Sequence, residues 1–260
     1  MIANADHWAL FVSFYEKELR GRYTDTVGGA AWALLQPLFL LGIYAFVFRT
    51  IFQVRFPELG QHNFIEFVAV ALWPWLAFQE GVQRGAQAVR ANASLIRKVE
   101  FPNELLVYAA VAATYSLHMI GFVIVSVVLA AFGAVFHLAM VPLVLLLMVI
   151  LLVFTLAIAL LCAAAQVFLP DTEQFLGPVL SVLFYATPIL YPLTLVPPEL
   201  AAAMAVNPLA AFVEPLRSAL LWGTPSFGWL QITVYLGSVL LLVLAVRAFR
   251  RMTPYFEDFL

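Results

Sequence analysis

Few side chains in this 260-residue sequence could do covalent chemistry. Its histidines are His7, His62, His118 and His137, with no pair at zinc-ligand spacing and no His-Glu-x-x-His, so no metal site is expected. Only His118 falls inside a long apolar run, where a lone imidazole reads first as a hydrogen-bonded packing residue. Cys162 is alone, which excludes an intrachain disulfide and a thiolate cluster. No Gly-x-Ser-x-Gly elbow occurs. The only lysines are Lys17, after Glu16, and Lys98, after Arg97. The Gly-Lys-Ser/Thr of a P-loop is therefore missing, and any ATP must be bound by another chain. The sequence predicts no catalytic residue, no cofactor held by this chain and no nucleic-acid partner.

A charged, helix-broken stretch is "NASLIRKVEFPNELL", residues 92–106, which sets Arg97, Lys98, Glu100 and Glu104 around Phe101-Pro102. Its surroundings are unlike it. The chain is 64% hydrophobic and 11% charged, with mean hydropathy +0.98, so it belongs in a bilayer rather than in water. The first twenty residues carry Asp6, Glu16, Lys17, Glu18 and Arg20 and lack the basic start and apolar core of a cleavable signal.

A spanning helix needs ~20 largely apolar residues. Six such stretches are expected, at about 29–48, 63–79, 105–132, 138–169, 175–191 and 227–246. Between Glu104 and Asp171 there is no charge, enough for two spans turned at Gly133, His137 and Pro142. Glu66 and Glu80 bracket the second stretch, where snorkelling or solvated positions are expected rather than an ion-coupling site. With both termini inside, the inner segments hold 10 of the basic residues, while only Arg49, Arg55 and Arg217 lie outside. This satisfies the positive-inside rule and makes residues 92–106 cytoplasmic.

The remaining segments read as accessories to one all-α, polytopic domain over residues 1–260. Within 1–28, Trp8, Phe11, Val12, Tyr15 and Leu19 share one helical face opposite Ser13, Lys17 and Arg20, which fits an amphipathic helix on the inner membrane surface or a cap on cytoplasmic loops. Residues 81–104 form the cytoplasmic connection. From Pro188 to Pro225 seven prolines forbid a continuous helix. Two short helices within 192–225 are expected to dip in from the outer side and return as a gate, or to lie on the outer leaflet. Gln36-Pro37 should kink the first span, whose Gly28, Gly29, Ala30 and Ala33 suit close helix contact.

Several segments together resemble one family. Residues 21–52, "GRYTDTVGGAAWALLQPLFLLGIYAFVFRTIF", residues 92–106, residues 184–217, "FYATPILYPLTLVPPELAAAMAVNPLAAFVEPLR", and the tail "FRRMTPYFEDFL" are similar to the membrane subunits of type-2 ABC exporters for bacterial polysaccharides, including O-antigen and teichoic-acid permeases. The resemblance implies a six-span half-transporter in the bacterial inner membrane. It also implies a homodimer docked on two cytosolic ATPase subunits, which bind ATP and Mg, and a lipid-linked glycan on an undecaprenyl diphosphate carrier. Permeases for lipo-oligosaccharides or drugs are similar, and a non-transport component of glycan assembly is the other alternative.

Within that frame 91–100 is expected to be a short coupling helix, with Arg97, Lys98, Glu100 and Phe101 touching the ATPase. Holding anionic lipid and setting topology is the competing role for Arg97 and Lys98. Aromatic faces can stack on sugars, so Trp32, Tyr44, Trp73, Trp75, Phe184 and Tyr185 are candidates for a glycan channel, with Trp73 and Trp75 foremost because they flank Pro74 away from the span ends. Arg20 and Arg22 are candidates for the lipid diphosphate, or for ordinary headgroup contact.

Overall fold

The computed structural model describes residues 4–22, 29–53 and 62–260, which are helical with no strand among them. The order is α1 (Asn4–Gly21), α2 (Trp32–Ala45, widening into a π turn at Phe46–Ile51), α3 (Phe64–Ala91), α4 (Ala93–Ile96), α5 (Glu104–Ala131), α6 (Val141–Phe168), α7 (Thr172–Ala186), α8 (Pro198–Ala205), α9 (Ala210–Arg217), α10 (Trp229–Met252) and α11 (Phe256–Phe259). Among the described residues, four stretches are long and apolar enough to cross a membrane: Trp32–Ile51, Glu104–Ala131, Leu138–Phe168 and Trp229–Phe259. The other two expected spans coincide with α3 and α7. Helix α7 has only 15 residues, and α3 carries Glu66, Glu80, Arg84 and Arg90 along its 28.

Helix α3 tolerates those charges because it is the centre of the molecule, packed along both α5 and α6. Val68, Ala71, Leu72, Ala77 and Val82 on it are fully buried. Its approach to both neighbours depends on two glycines. A Cβ on Gly81 would stand 2.9 Å from Thr155 Cγ2, and one on Gly85 would stand 2.7 Å from Ala159 Cβ and 2.9 Å from Val111 Cγ2. The obstructing atoms belong to short side chains that cannot swing away. Gly85→Val is therefore expected to destabilise the subunit by about 2 kcal/mol through overpacking, read as a lower midpoint of thermal aggregation in detergent.

Glu66, expected at a solvated or snorkelling position, is buried instead. His62 Nδ1 lies 2.7 Å from its Oε2, and the Asn63 amide donates to its Oε1. The other nitrogen of His62 lies 2.8 Å from the Leu221 carbonyl, so a residue far along the chain closes this site. Asn63 also caps α3, its Oδ1 accepting from the amides of Ile65 and Glu66.

Both described termini sit at one end of the bundle, here the basal end. Tyr15 of α1 donates to Ser116 Oγ at 2.9 Å, Lys17 donates to Asn92 Oδ1 at 2.7 Å, and the Phe14 and Phe101 rings lie 5.4 Å apart. At the same end Arg250 Nε donates to Glu104 Oε1 at 2.8 Å, and Phe168 packs on Phe256 and Phe259. Helix α1 thus packs on α5 while Trp8 stays exposed, and Lys17 of the expected polar face makes a protein contact. It is shorter than the expected 1–28, of which residues 1–3 and 23–28 lie outside those described.

The coupling helix expected at 91–100 is only the four residues of α4, followed by a turn and extended backbone. Asn92 ends α3: its backbone leaves the helix at φ −114°, ψ 23°, and its amide donates back to the Ala88 carbonyl at 2.8 Å. Pro102 then keeps Phe101 out of helical conformation.

At the distal end, α9 is buried over most of its length, and it packs on α3, α6 and α10. Arg217, counted above among the basic residues of the outer side, is fully buried there. Its side chain holds α9 to the Phe67 carbonyl and to the carbonyls of Pro188 and Ile189. Asn207 opens this region, its Oδ1 accepting from the Leu209 amide, and the helix proper begins at Ala210.

Candidate functional site

A charged cleft of about 470 Å³ lies between α2, α3 and α5, lined by Arg22, Trp32, Gln36, Glu80, Arg84 and His118 among others. Glu80 is its hub. Arg22 Nη1 lies 3.1 Å from Oε1, Arg84 Nε 3.4 Å from the same oxygen, and His118 Nε2 2.8 Å from Oε2. Arg22 also donates to Thr114 Oγ1, and its side chain is only 2% exposed. Its Nε, also buried, has no hydrogen-bond partner among the described residues. A single carboxylate thus faces two guanidinium groups and an imidazole, so the cleft favours an added anion.

Removing the hub charge leaves Arg22 buried without its counter-ion. Glu80→Gln is expected to destabilise the subunit by about 2 kcal/mol, below the ~3–5 kcal/mol typical of a fully buried pair because Glu80 is one-third exposed. A melting curve of the detergent-solubilised variant measures it, and an unchanged curve would show that Arg22 is held by other contacts.

The predicted diphosphate arginines separate here. Arg22 belongs to the cleft, whereas Arg20 is 78% exposed and pairs with Glu16 on its own helix. Glu80, Arg84 and His118 were not assigned to this site from sequence. The four-residue spacing of Glu80 and Arg84 puts them on one face of α3, which is the signal that sequence reasoning could have used.

The predicted channel aromatics fall into three places. Tyr44, Trp75, Phe184 and Tyr185 come together where α2, α3 and α7 meet: Phe184 is 5.9 Å from Tyr44, 5.5 Å from Trp75 and 5.2 Å from Tyr185. Tyr185 is 64% exposed, whereas Trp75 is at 2% and Phe184 is buried. Trp32 lies on the rim of the charged cleft and is exposed. Trp73 is apart from both groups, at 1% exposure, with its indole against Gly121. The two tryptophans placed foremost by sequence are thus interior residues of the subunit.

At the basal end Arg97, Lys98 and Glu100 are exposed, and Phe101 is half-buried against Phe14. Beside them lies a groove of about 230 Å³ whose walls are Ile96, Val99, Glu100, Phe101 and Asn103 on one side and Arg250, Thr253, Pro254 and Glu257 on the other. The C-terminal tail is therefore part of this surface. No group of three or more potential metal-ligating side chains is gathered among the described residues.

Known proteins share this sequence over most of its length. The chain is 27% identical over 252 residues to the O-antigen export system permease protein RfbA of Klebsiella pneumoniae, covering 96% of this chain and 95% of that one. It is 30% identical over 213 residues to the O-antigen export system permease protein RfbA of Myxococcus xanthus, covering 80% and 79%. Similarity extends to the polysialic acid transport protein KpsM of Escherichia coli, at 25% over 229 residues and 83% of each chain. Residues 9–221, which take in the charged cleft, the aromatic group and α9, match the family described as ABC-2 type transporter. With that match spanning well over half of a helical, multi-pass membrane chain, the protein belongs to the ABC-2 type transporter family.

Proposed function

We propose that the chain is the transmembrane subunit of an ATP-driven exporter that moves lipid-linked polysaccharide outward across the bacterial inner membrane. It works as a homodimer of six-span subunits docked on two cytosolic ATPase subunits, which bind ATP and Mg. The observation that carries this reading is the near full-length similarity to permeases named for O-antigen export and polysialic acid transport. The absence of a P-loop from the sequence fits a separate ATPase.

The basal end is the cytosolic face, where Arg97, Lys98, Glu100 and Phe101, with the tail residues across the groove, receive the ATPase. Glu80 lies 11 residues before Ala91, and α3 rises about 24 Å beyond it to Phe64, close to the ~30 Å of a hydrocarbon core. That depth supports a headgroup-level role for the charged cleft, with Arg22 meeting the lipid diphosphate beside Glu80, Arg84 and His118. Trp32, Tyr44 and Tyr185 offer ring faces to the glycan. The segment 192–225 is the outer gate, held in protein by α9.

Deleting the gene in a glycan-producing host tests the proposal. Completed lipid-linked glycan should accumulate on the cytosolic side and disappear from the surface, and the tagged permease should co-purify with a P-loop ATPase. Normal surface glycan in the deletion strain would overturn it.

A further inference from the structure

A second cleft lies against the charged one. It has a volume of about 600 Å³, runs between α3, α6 and α7 at the basal end, and is lined by Gln83, Gln87, Gln166, Glu173 and Gln174, with Glu80 and Arg84 at its inner limit. Four of the nine glutamines of the chain converge here. We propose that this cleft binds neutral, polyhydroxylated sugar residues of the transported glycan; the proposal rests on the export reading above.

The arrangement of the amides carries the argument. Gln87 Nε2 donates to Glu173 Oε1 at 2.9 Å and Gln166 Nε2 donates to Glu173 Oε2 at 3.0 Å, so one carboxylate orients two side-chain amides. Gln166 is 2% exposed, and its Oε1 is buried with no hydrogen-bond partner among the described residues. Arg90 adds a contact to the Gln166 carbonyl at 3.4 Å, which fixes the backbone behind that amide. A buried acceptor held in place and left unpaired calls for a donor. A sugar hydroxyl supplies one, and because it also accepts, it matches amides that present both N–H and C=O. An anion is the wrong occupant, since Glu80 and Glu173 oppose Arg84 as the one cation of this wall. The volume falls within the ~300–1,000 Å³ usual for small-ligand sites. Glu80 and Arg84 belong to both clefts, so a diphosphate on one side of them and its attached sugars on the other form one continuous ligand path.

Cysteine protection tests the proposal on the full permease–ATPase complex. In a Cys162→Ser background, Gln174→Cys is introduced, and inside-out vesicles are prepared from cells that make the lipid-linked glycan and from cells lacking its first sugar-phosphate transferase. Alkylation by N-ethylmaleimide is then timed. The glycan should slow it about fivefold, the protection given by ligand at roughly four times its Kd. A reference variant, Ser13→Cys at an exposed position of α1, should react equally in both preparations. Equal rates at Gln174→Cys, or equal slowing at both positions, would overturn the proposal. In cells, Gln83→Leu and Gln166→Leu should each lower surface glycan about tenfold at normal yield of the complex, by removing hydrogen bonds to the sugar. Full export by both would overturn it. If deleting the gene abolishes surface glycan while these readouts stay flat, the sugar site alone falls; if deletion leaves surface glycan intact, both readings fall.

Discussion

Replacing Arg217 by methionine is expected to lower the melting temperature of the detergent-solubilised subunit by about 8 °C, from a loss of about 3 kcal/mol. The methionine fills most of the space but none of the electrostatic role. Arg217 Nε donates to the Phe67 carbonyl at 3.2 Å, Nη1 to Glu214 Oε1 at 2.9 Å, and Nη2 to the carbonyls of Pro188 and Ile189 at 2.9 and 3.0 Å. Its Cζ also sits 3.5 Å above the centre of the Phe67 ring. One side chain thus joins α9, the start of α3 and the turn after α7. Arg217→Lys keeps the charge but loses the planar fork, so it should fall between the wild type and Arg217→Met. If Arg217→Met melts with the wild type, the guanidinium is not what holds the distal end.

The second large effect is functional. Changing Arg97 and Lys98 together to glutamine should weaken binding of the ATPase partner at least about tenfold, as expected when two charges at an interface lose their complement. Surface glycan should fall in parallel. Both side chains are exposed, so the subunit itself should keep its yield and its melting temperature. Affinity of the purified double variant for the ATPase, measured in nanodiscs, decides the matter. Undiminished binding would assign the pair to lipid contact and topology instead.

The parts of the fold legible in sequence are those governed by local composition. Helices α5 and α6 match the charge-free run between Glu104 and Asp171 because an uninterrupted apolar stretch has few other fates in a bilayer. Proline spacing likewise forecasts the broken helices after α7. What stayed hidden depends on contacts between distant residues. Glu66 reads as a solvated end of a span until His62, Asn63 and the Leu221 carbonyl enclose it. Arg217 reads as an outer-loop charge until three carbonyls from other segments surround it. Trp73 and Trp75 stand out by their place beside Pro74, but α3 is the central helix, so both turn into the interior. The coupling helix is short because Asn92 stops α3 one residue after Ala91.

The basal joint has a mechanical consequence. The loop bearing Arg97 is tied to α1 through Lys17 and Asn92 and through Phe14 and Phe101, and the start of α5 is tied to α10 through Glu104 and Arg250. A load applied at the loop has no slack segment in which to dissipate. It becomes a torque shared by three rods locked at the same knuckle, so they must swing in unison rather than bend one at a time.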